Sequence, residues 1–266
     1  MAPAWERNAA FVDEQLGAAT AVLLDLAGVS PGDAVLELAC GPGSTGLAAA
    51  DRVGPQGRVV LSDVAPEMVA IAERRAAGRP AVSTAVFDQS AIAAPDASFD
   101  AVVIRLGLMF ADDGAAAVRE AVRVLRPGGA YAAMAWDRRA ANPWLGLVLD
   151  AVGAQFGMSF PPPGVAGPFA LDHPDLLTAP LRDGGLEAVE VRAVATPMTA
   201  ASLDEWWDRV PQLAGPLAQA LAAMEPEVRD AIRRRSLDFA EAAVRRTGAG
   251  IVLDGAVLIA AGRRPA

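Results

Sequence analysis

Short apolar runs of strand length alternate with stretches of helical periodicity over the first half of the chain. The strand candidates are residues 34–38, 57–63, 82–87, 99–104 and 130–136. The helix candidates are residues 5–28, 65–77 and 113–125, with a further helix after the glycine-rich turn at 41–43. Strands and helices in alternation predict a doubly wound α/β fold, in which helices cover both faces of a parallel sheet.

The second half of the chain follows a different pattern. Residues 137–183 are predicted to be irregular, and their Pro161-Pro162-Pro163-Gly164 run indicates either a lid or a plain surface excursion. Beyond them we expect a sixth strand, a helical region and a last strand with a bulge or hairpin-like kink at Asp254-Gly255. These three elements are residues 186–194, residues 202–246 with breaks near Pro211, Pro216 and Pro226, and residues 251–260.

The composition narrows the possible partners. The 266 residues carry 23 basic and 32 acidic side chains, a net charge of −9, so no attraction to nucleic acid or to an anionic membrane is expected. Every long apolar run is interrupted by a charge or a glycine, which predicts no membrane span. Residues 1–7 lack the basic start and apolar run of a signal peptide, which predicts a cytoplasmic protein.

Single copies of two reactive residues limit the chemistry. Cys40 is the only cysteine and His173 the only histidine, so we expect no internal disulfide and no metal site. Cys40 and the only tyrosine, Tyr131, are predicted to be packing residues. His173 is the candidate general base, and the alternative is that it flanks the start of a helix at 172–175.

The glycine-rich turn admits two cofactor classes. Residues 41–46 match the dinucleotide pattern GxGxxG, and Asp63 follows Gly43 by 20 residues, as in NAD-dependent oxidoreductases. Glu37 lies four residues before Gly41, where a carboxylate repels pyrophosphate but attracts the ammonium and sulfonium groups of S-adenosylmethionine (SAM). The alternative for Glu37 is a solvated residue at a strand end.

Several segments together resemble class I SAM-dependent methyltransferases of the small-molecule, ubiquinone-biosynthesis-like branch. Residues 35–43, Val-Leu-Glu-Leu-Ala-Cys-Gly-Pro-Gly, are similar to the first motif, with Ala39 in place of the first glycine. An alanine fits there if the turn keeps φ negative. Residues 61–68 are similar to the second motif, in which Asp63 would accept hydrogen bonds from both ribose hydroxyls.

The resemblance continues along the next strands. Residues 87–89 fall where the family places an acid or amide against the adenine amino group, and residues 98–110 resemble the fourth-strand motif. Arg105 ends that strand and would pair with the methionyl carboxylate or an acidic substrate, the alternative being a structural ion pair with Glu37 or Asp88. The cofactor-binding residues implied by the resemblance are Glu37, Ala39, Gly41, Gly43, Asp63, Val64, Met68, Asp88, Gln89 and Arg105.

The resemblance covers about residues 30–137 and implies a single SAM-binding domain over 1–266. Its sheet would be mostly parallel and seven-stranded, with an antiparallel last strand. Residues 1–29, about 138–180 and 197–250 would form lid or cap segments on the substrate side.

The activity implied is transfer of a methyl group from SAM to oxygen, nitrogen or carbon of a small organic acceptor, with S-adenosylhomocysteine as product. Aromatic residues in the variable segments suggest an apolar or planar acceptor, and core packing explains most of them equally well. Two alternatives stay open: a methyltransferase-like scaffold that catalyses another reaction such as cyclisation, and an NAD-dependent oxidoreductase.

Overall fold

The computed structural model describes residues 2–162 and 167–266. Pro163 and Gly164 of the expected lid lie outside the described residues. The helices are α1 (Ala2–Leu26), α2 (Ser44–Val53), α3 (Pro66–Arg75), α4 (Gly114–Val124), α5 (Pro143–Phe156), α6 (Pro174–Asp183), α7 (Leu203–Leu213), α8 (Gly215–Ala222) and α9 (Pro226–Ala243). The strands are β1 (Ala34–Leu38), β2 (Arg58–Asp63), β3 (Val82–Val86), β4 (Phe99–Arg105), β5 (Leu125–Trp136), β6 (Glu187–Ala195), β7 (Met198–Ala200), β8 (Arg245–Thr247), β9 (Gly250–Leu253) and β10 (Ala256–Arg263).

Seven strands form the main sheet in the order β3-β2-β1-β4-β5-β10-β6. The first five are parallel, and β10 runs antiparallel to both of its neighbours, as predicted. All five residues of β1 are buried, which explains its nearly continuous apolar sequence. The strand order reverses between β1 and β4, so the carboxyl ends of these strands form the crevice where such sheets bind ligands.

The segment at 137–183 contains two helices, and the prediction of an irregular segment was wrong. Helix α5 is apolar over most of its length, so it shows no amphipathic period, and it packs against α9 and α7. Helix α6 packs against α4, β6 and β10, with Leu177 and Leu181 fully buried in the core of the main sheet. Helix α6 therefore belongs to the main-sheet layer and is not a lid.

A separate apolar core lies in what we call the cap, which consists of α5, α7, α8, α9 and the small sheet β7-β9-β8. The predicted last strand is two strands, because β9 belongs to the cap and β10 to the main sheet. A Cβ on Gly255, between them, would lie 2.2 Å from the carbonyl oxygen of Thr196, so the crossing requires glycine. The predicted helix breaks occur near Pro216 and Pro226, whereas Pro211 lies inside α7.

Asn142 joins the cap to the main sheet. Its side chain is fully buried, and its Nδ2 donates to the carbonyl oxygens of Asp137 at 2.8 Å and Ala256 at 3.0 Å. Its Oδ1 accepts from the Ala256 amide at 3.0 Å and from Trp144 Nε1 at 3.1 Å. The amide group thus binds backbone groups at the ends of β5 and β10 and the Trp144 indole of the cap, which fixes where the cap sits on the sheet.

The described residues include neither a membrane-spanning helix nor a metal-binding cluster. None of the helices there is both long and apolar enough to cross a bilayer. Within the same ranges, no cluster of three or more His, Cys, Asp or Glu side chains is arranged to hold a metal ion.

Candidate cofactor site

The loop between β1 and α2 makes a tight turn with several residues in the left-handed region. Ala39 has a φ of 49° and Gly41 a φ of 52°. The turn therefore does not keep φ negative at Ala39, which was the condition for an alanine to fit without strain, and an alanine in this region costs about 1–2 kcal/mol. A Cβ on Gly107, after β4, would lie 2.5 Å from the Ala39 methyl group, so glycine at 107 makes room for that methyl.

Two carboxylates accept hydrogen bonds from backbone amides of this loop and of the first turn of α2. Glu37 Oε2 accepts from the Gly46 amide at 2.7 Å, and Asp63 Oδ2 accepts from the Gly41 amide at 2.9 Å. The Gly43 amide donates to the carbonyl oxygen of Cys40 at 2.8 Å. A pyrophosphate would need these same amides and would meet two negative charges, so the geometry argues against a dinucleotide.

Glu37 is buried, and the alternative of a solvated strand end is wrong. Its residue exposure is 1%. Burial raises the pKa of Glu37 to about 7, while the Arg105 charge and the Gly46 amide oppose the shift. Such a carboxyl group changes charge near neutral pH, at the point where the loop begins.

We expect the pKa of Glu37 to appear in the pH dependence of stability. The folded pKa of about 7 lies above the ordinary value of 4.5. Glu37 therefore contributes fully to the free energy of unfolding below pH 4.5, and this contribution is lost as pH rises through 7. The loss is on the order of 3 kcal/mol, at about 1.4 kcal/mol per pKa unit. Urea unfolding from pH 4.5 to 8 should therefore show a steeper decline for the wild type than for Glu37→Gln. Parallel profiles would contradict the assignment.

Arg105 is held by α1. Its side chain is 8% exposed, Nη1 donates to Thr20 Oγ1 at 3.2 Å, and Nη2 lies 3.9 Å from Asp13 Oδ1. The alternative of a structural ion pair was right about the pair and wrong about the partner, which is Asp13 and not Glu37 or Asp88. Pairing of Arg105 with a ligand carboxylate stays a prediction. Burial lowers the pKa of Arg105, and the nearby carboxylates of Glu37 and Asp13 oppose that shift.

The residues expected to hold ribose and adenine lie at the carboxyl ends of β2 and β3. Asp63 Oδ1 accepts from the Ala65 amide at 2.9 Å, and the Val64 side chain beside it is 65% exposed. Asp88 Oδ1 accepts from the Ser90 amide at 2.7 Å, and Gln89 Nε2 lies 3.5 Å from the carbonyl oxygen of Gly107. Met68, the remaining member of the predicted set, lies in the first turn of α3. The strands that carry these residues are neighbours, so the sheet gathers them at one edge.

His173 lies far along the chain from the glycine loop, and its observed role is structural. It is the N-cap of α6, where its Nδ1 accepts from the Asp175 amide at 3.3 Å. Tyr131 and Cys40 are buried, as predicted, and burial raises the pKa of both groups. The catalytic role of His173 stays a prediction.

Sequence reasoning missed Asp13, Thr20 and Arg75. Arg75 Nη1 donates to the carbonyl oxygen of Pro42 at 2.6 Å and to Ser44 Oγ at 3.0 Å, which ties α3 to the glycine loop. None of the three belongs to a motif: the packing of α1 brings Asp13 and Thr20 to the site, and Arg75 reaches it from the last turn of α3.

The comparison with known families identifies the core. The family model described as a methyltransferase domain matches residues 35–129. Over these residues the chain resembles a methyltransferase domain. The match begins on β1 and ends at the turn in β5, so it contains the loop and the four strand ends described above. The resemblance inferred from the sequence motifs is confirmed.

Curated relatives align with part of the chain. The ubiquinone/menaquinone biosynthesis C-methyltransferase UbiE of Xanthomonas oryzae pv. oryzae is 42% identical over 104 residues, which are 38% of this chain and 41% of that protein. The chain therefore aligns with less than half of that relative's length.

Solved structures resemble the chain over most of its length. The YcgJ protein of Bacillus subtilis has a TM-score of 0.61 at 18% identity, covering 94% of this chain and 99% of that chain. A geranyl diphosphate methyltransferase in complex with SAM has a TM-score of 0.52 at 20% identity, covering 92% of this chain and 84% of that chain. These similarities confirm the predicted fold.

Proposed function

We propose that this chain binds SAM and transfers its methyl group to a small organic acceptor. The observation that carries the proposal is the pair of carboxylates, Glu37 and Asp63, held on the loop amides. These negative charges suit a ligand with ammonium and sulfonium groups and disfavour a pyrophosphate. The NAD-dependent alternative is accordingly disfavoured.

The residues present suit each part of SAM. A carboxylate has about four acceptor sites and Asp63 uses two on backbone amides, so two remain for a ribose diol. The exposed Val64 offers an apolar face for adenine, with Asp88 or Gln89 for its amino group. The ammonium group would favour the ionised form of Glu37, whose pKa is about 7 without ligand, and Arg105 would supply positive charge for the carboxylate. The side of Gly41 on which a Cβ would stand is open, which leaves the loop accessible there.

Bound SAM would supply an electrophilic methyl group, and the chain would contribute position and a dry site. We propose that α1 and the cap form the substrate side. At the end of β5, Trp136 meets Trp144 of the cap edge-on, with ring centroids 4.9 Å apart. Trp136 also packs against all three apolar cores, and such aromatic surface suits an apolar or planar acceptor.

Calorimetric titration of the purified chain with SAM, S-adenosylhomocysteine and NAD tests the proposal. We expect both adenosyl ligands to bind and NAD not to bind. Binding of NAD alone, or of no ligand, would overturn it. Mass analysis of products after incubation with candidate acceptors would then show a gain of one methyl group, whereas an isomerised product with SAM unconsumed would favour the cyclase alternative. The cytoplasmic location stays a prediction, which cell fractionation tests.

Substituting His173 separates its two possible roles. Asparagine is a good N-cap, so His173→Asn should preserve α6 and leave the rate of methyl transfer within about threefold of wild type. A general base typically contributes about 10²–10⁴-fold, so a loss of that size would instead assign catalysis to His173. The rate is measured by S-adenosylhomocysteine release, with a melting curve as the control for folding.

A further inference from the structure

Helix α1 carries three acidic residues that pair with arginines of α2 and α3. Glu6 pairs with Arg74 at 2.7 Å, Asp13 with Arg75 at 2.6 Å, and Asp25 with Arg52 at 2.6 Å. The three pairs differ in the further hydrogen bonds that the arginine makes. Among them, the guanidinium of Arg75 also binds the glycine loop, through the carbonyl oxygen of Pro42 and Ser44 Oγ.

The Asp13 pair is also the least exposed of the three. The side chains of Asp13 and Arg75 are 34% and 26% exposed, against 67% for Asp25 and 46% for Glu6. Exposed ion pairs are screened by water and contribute little to stability. The Asp13 pair is therefore the one expected to hold α1 against α3. The second oxygen of Asp13 is buried, 3.9 Å from Arg105. A single carboxylate thus faces two arginines of the cofactor site.

We infer that Asp13 is a positioning residue for the cofactor loop and that α1 must be docked for SAM to bind tightly. Asp13 orients Arg75, and Arg75 fixes the loop on each side of Gly43, at Pro42 and Ser44. This inference deepens the proposed function, because the ligand concerned is the one proposed above. No motif of the methyltransferase domain includes Asp13, which lies before the matched residues.

The opposite side of α1 touches the cap. Gln15 exchanges hydrogen bonds with Thr199 of β7, at 3.0 Å to its hydroxyl and 3.2 Å from its amide. The Arg209 guanidinium of α7 lies 4.0 Å from the centroid of the Phe11 ring. Because α1 contacts both the loop and the cap, fixing α1 by cofactor binding would also order the substrate side, so we expect SAM to bind before the acceptor.

The test compares Asp13→Asn with Asp25→Asn, the same substitution in the same helix at a pair that does not touch the loop. We expect Asp13→Asn to weaken S-adenosylhomocysteine binding roughly tenfold in calorimetry and Asp25→Asn to leave it unchanged. In hydrogen exchange without ligand, amides of residues 40–46 should exchange faster in Asp13→Asn than in Asp25→Asn. Bound S-adenosylhomocysteine should slow exchange of residues 2–26 in the control more than in Asp13→Asn.

The outcomes separate the two proposals. Equal loop exchange and equal affinity in the two variants would overturn the role of Asp13 while leaving SAM binding intact. A wild-type chain that binds neither SAM nor S-adenosylhomocysteine would overturn the proposed function, and the loop exchange without ligand would still decide whether Asp13 positions the loop. A double variant Asp13→Asn/Arg75→Gln should bind little more weakly than Arg75→Gln alone, because Asp13 acts on the loop through Arg75 at 2.6 Å, whereas its other oxygen lies 3.9 Å from Arg105.

Discussion

Replacing Asp63 by alanine should abolish detectable SAM binding, with an affinity loss of about 100-fold or more. Each hydrogen bond from a ribose hydroxyl to a charged acceptor is worth about 1.5–3 kcal/mol, and the substitution removes both. It also releases the amides of Gly41 and Ala65, which Asp63 holds at 2.9 Å each, so the loop loses its anchor to β2. Calorimetry with S-adenosylhomocysteine measures the loss directly, without requiring an acceptor.

Two matched aspartates show whether the effect belongs to the site. Asp51→Ala, on α2, removes an aspartate that pairs with Arg79 on the surface and should leave affinity unchanged. Asp88→Ala, at the end of β3, should cost about tenfold, because it removes one hydrogen bond to an amino group. If Asp63→Ala bound within threefold of wild type while retaining its melting temperature, the assignment of Asp63 to the ribose would fail.

Replacing Gly46 by alanine should destabilise the fold by about 2–4 kcal/mol. A Cβ at this position would lie 2.0 Å from Leu61 Cδ2 and 2.8 Å from Glu37 Oε2. Both side chains are buried, at 0% and 1% exposure, so neither has free space to move into. Overpacking of this kind costs about 1–3 kcal/mol, and displacing Glu37 from its amide partner adds to that. Thermal unfolding should show a midpoint lower by roughly 5–15 °C.

Gly17→Ala is the matched control for Gly46→Ala. Gly17 lies on α1, exposed, and a Cβ there meets no atom within 4 Å. Alanine is the better helix former by about 0.8–1 kcal/mol, so this variant should be slightly more stable than wild type. A Gly46→Ala variant as stable as wild type would show that α2 can move away from β2, and the close packing described for the loop would then be wrong.

The sequence by itself determined the main sheet and the polar residues at the carboxyl ends of its strands. Apolar runs of strand length alternating with helices specify a parallel sheet, and the carboxyl ends of adjacent parallel strands must meet at one edge. For that reason Glu37, Asp63 and Asp88 could be predicted to lie at the same edge of the sheet. The requirement for glycine at 41 and 43 follows equally from local backbone geometry, since both adopt positive φ.

The tertiary structure alone decided the rest, because the remaining features depend on contacts between distant segments. Helix α5 lacks a visible period, since the cap buries it on several sides, and only packing distinguishes it from an irregular apolar segment. The split of the last strand depends on which sheet each half joins. The partner of Arg105 could not be assigned from the sequence, because Asp13 and Thr20 lie 92 and 85 residues away, and it is the docking of α1 on the sheet that places them beside the glycine loop.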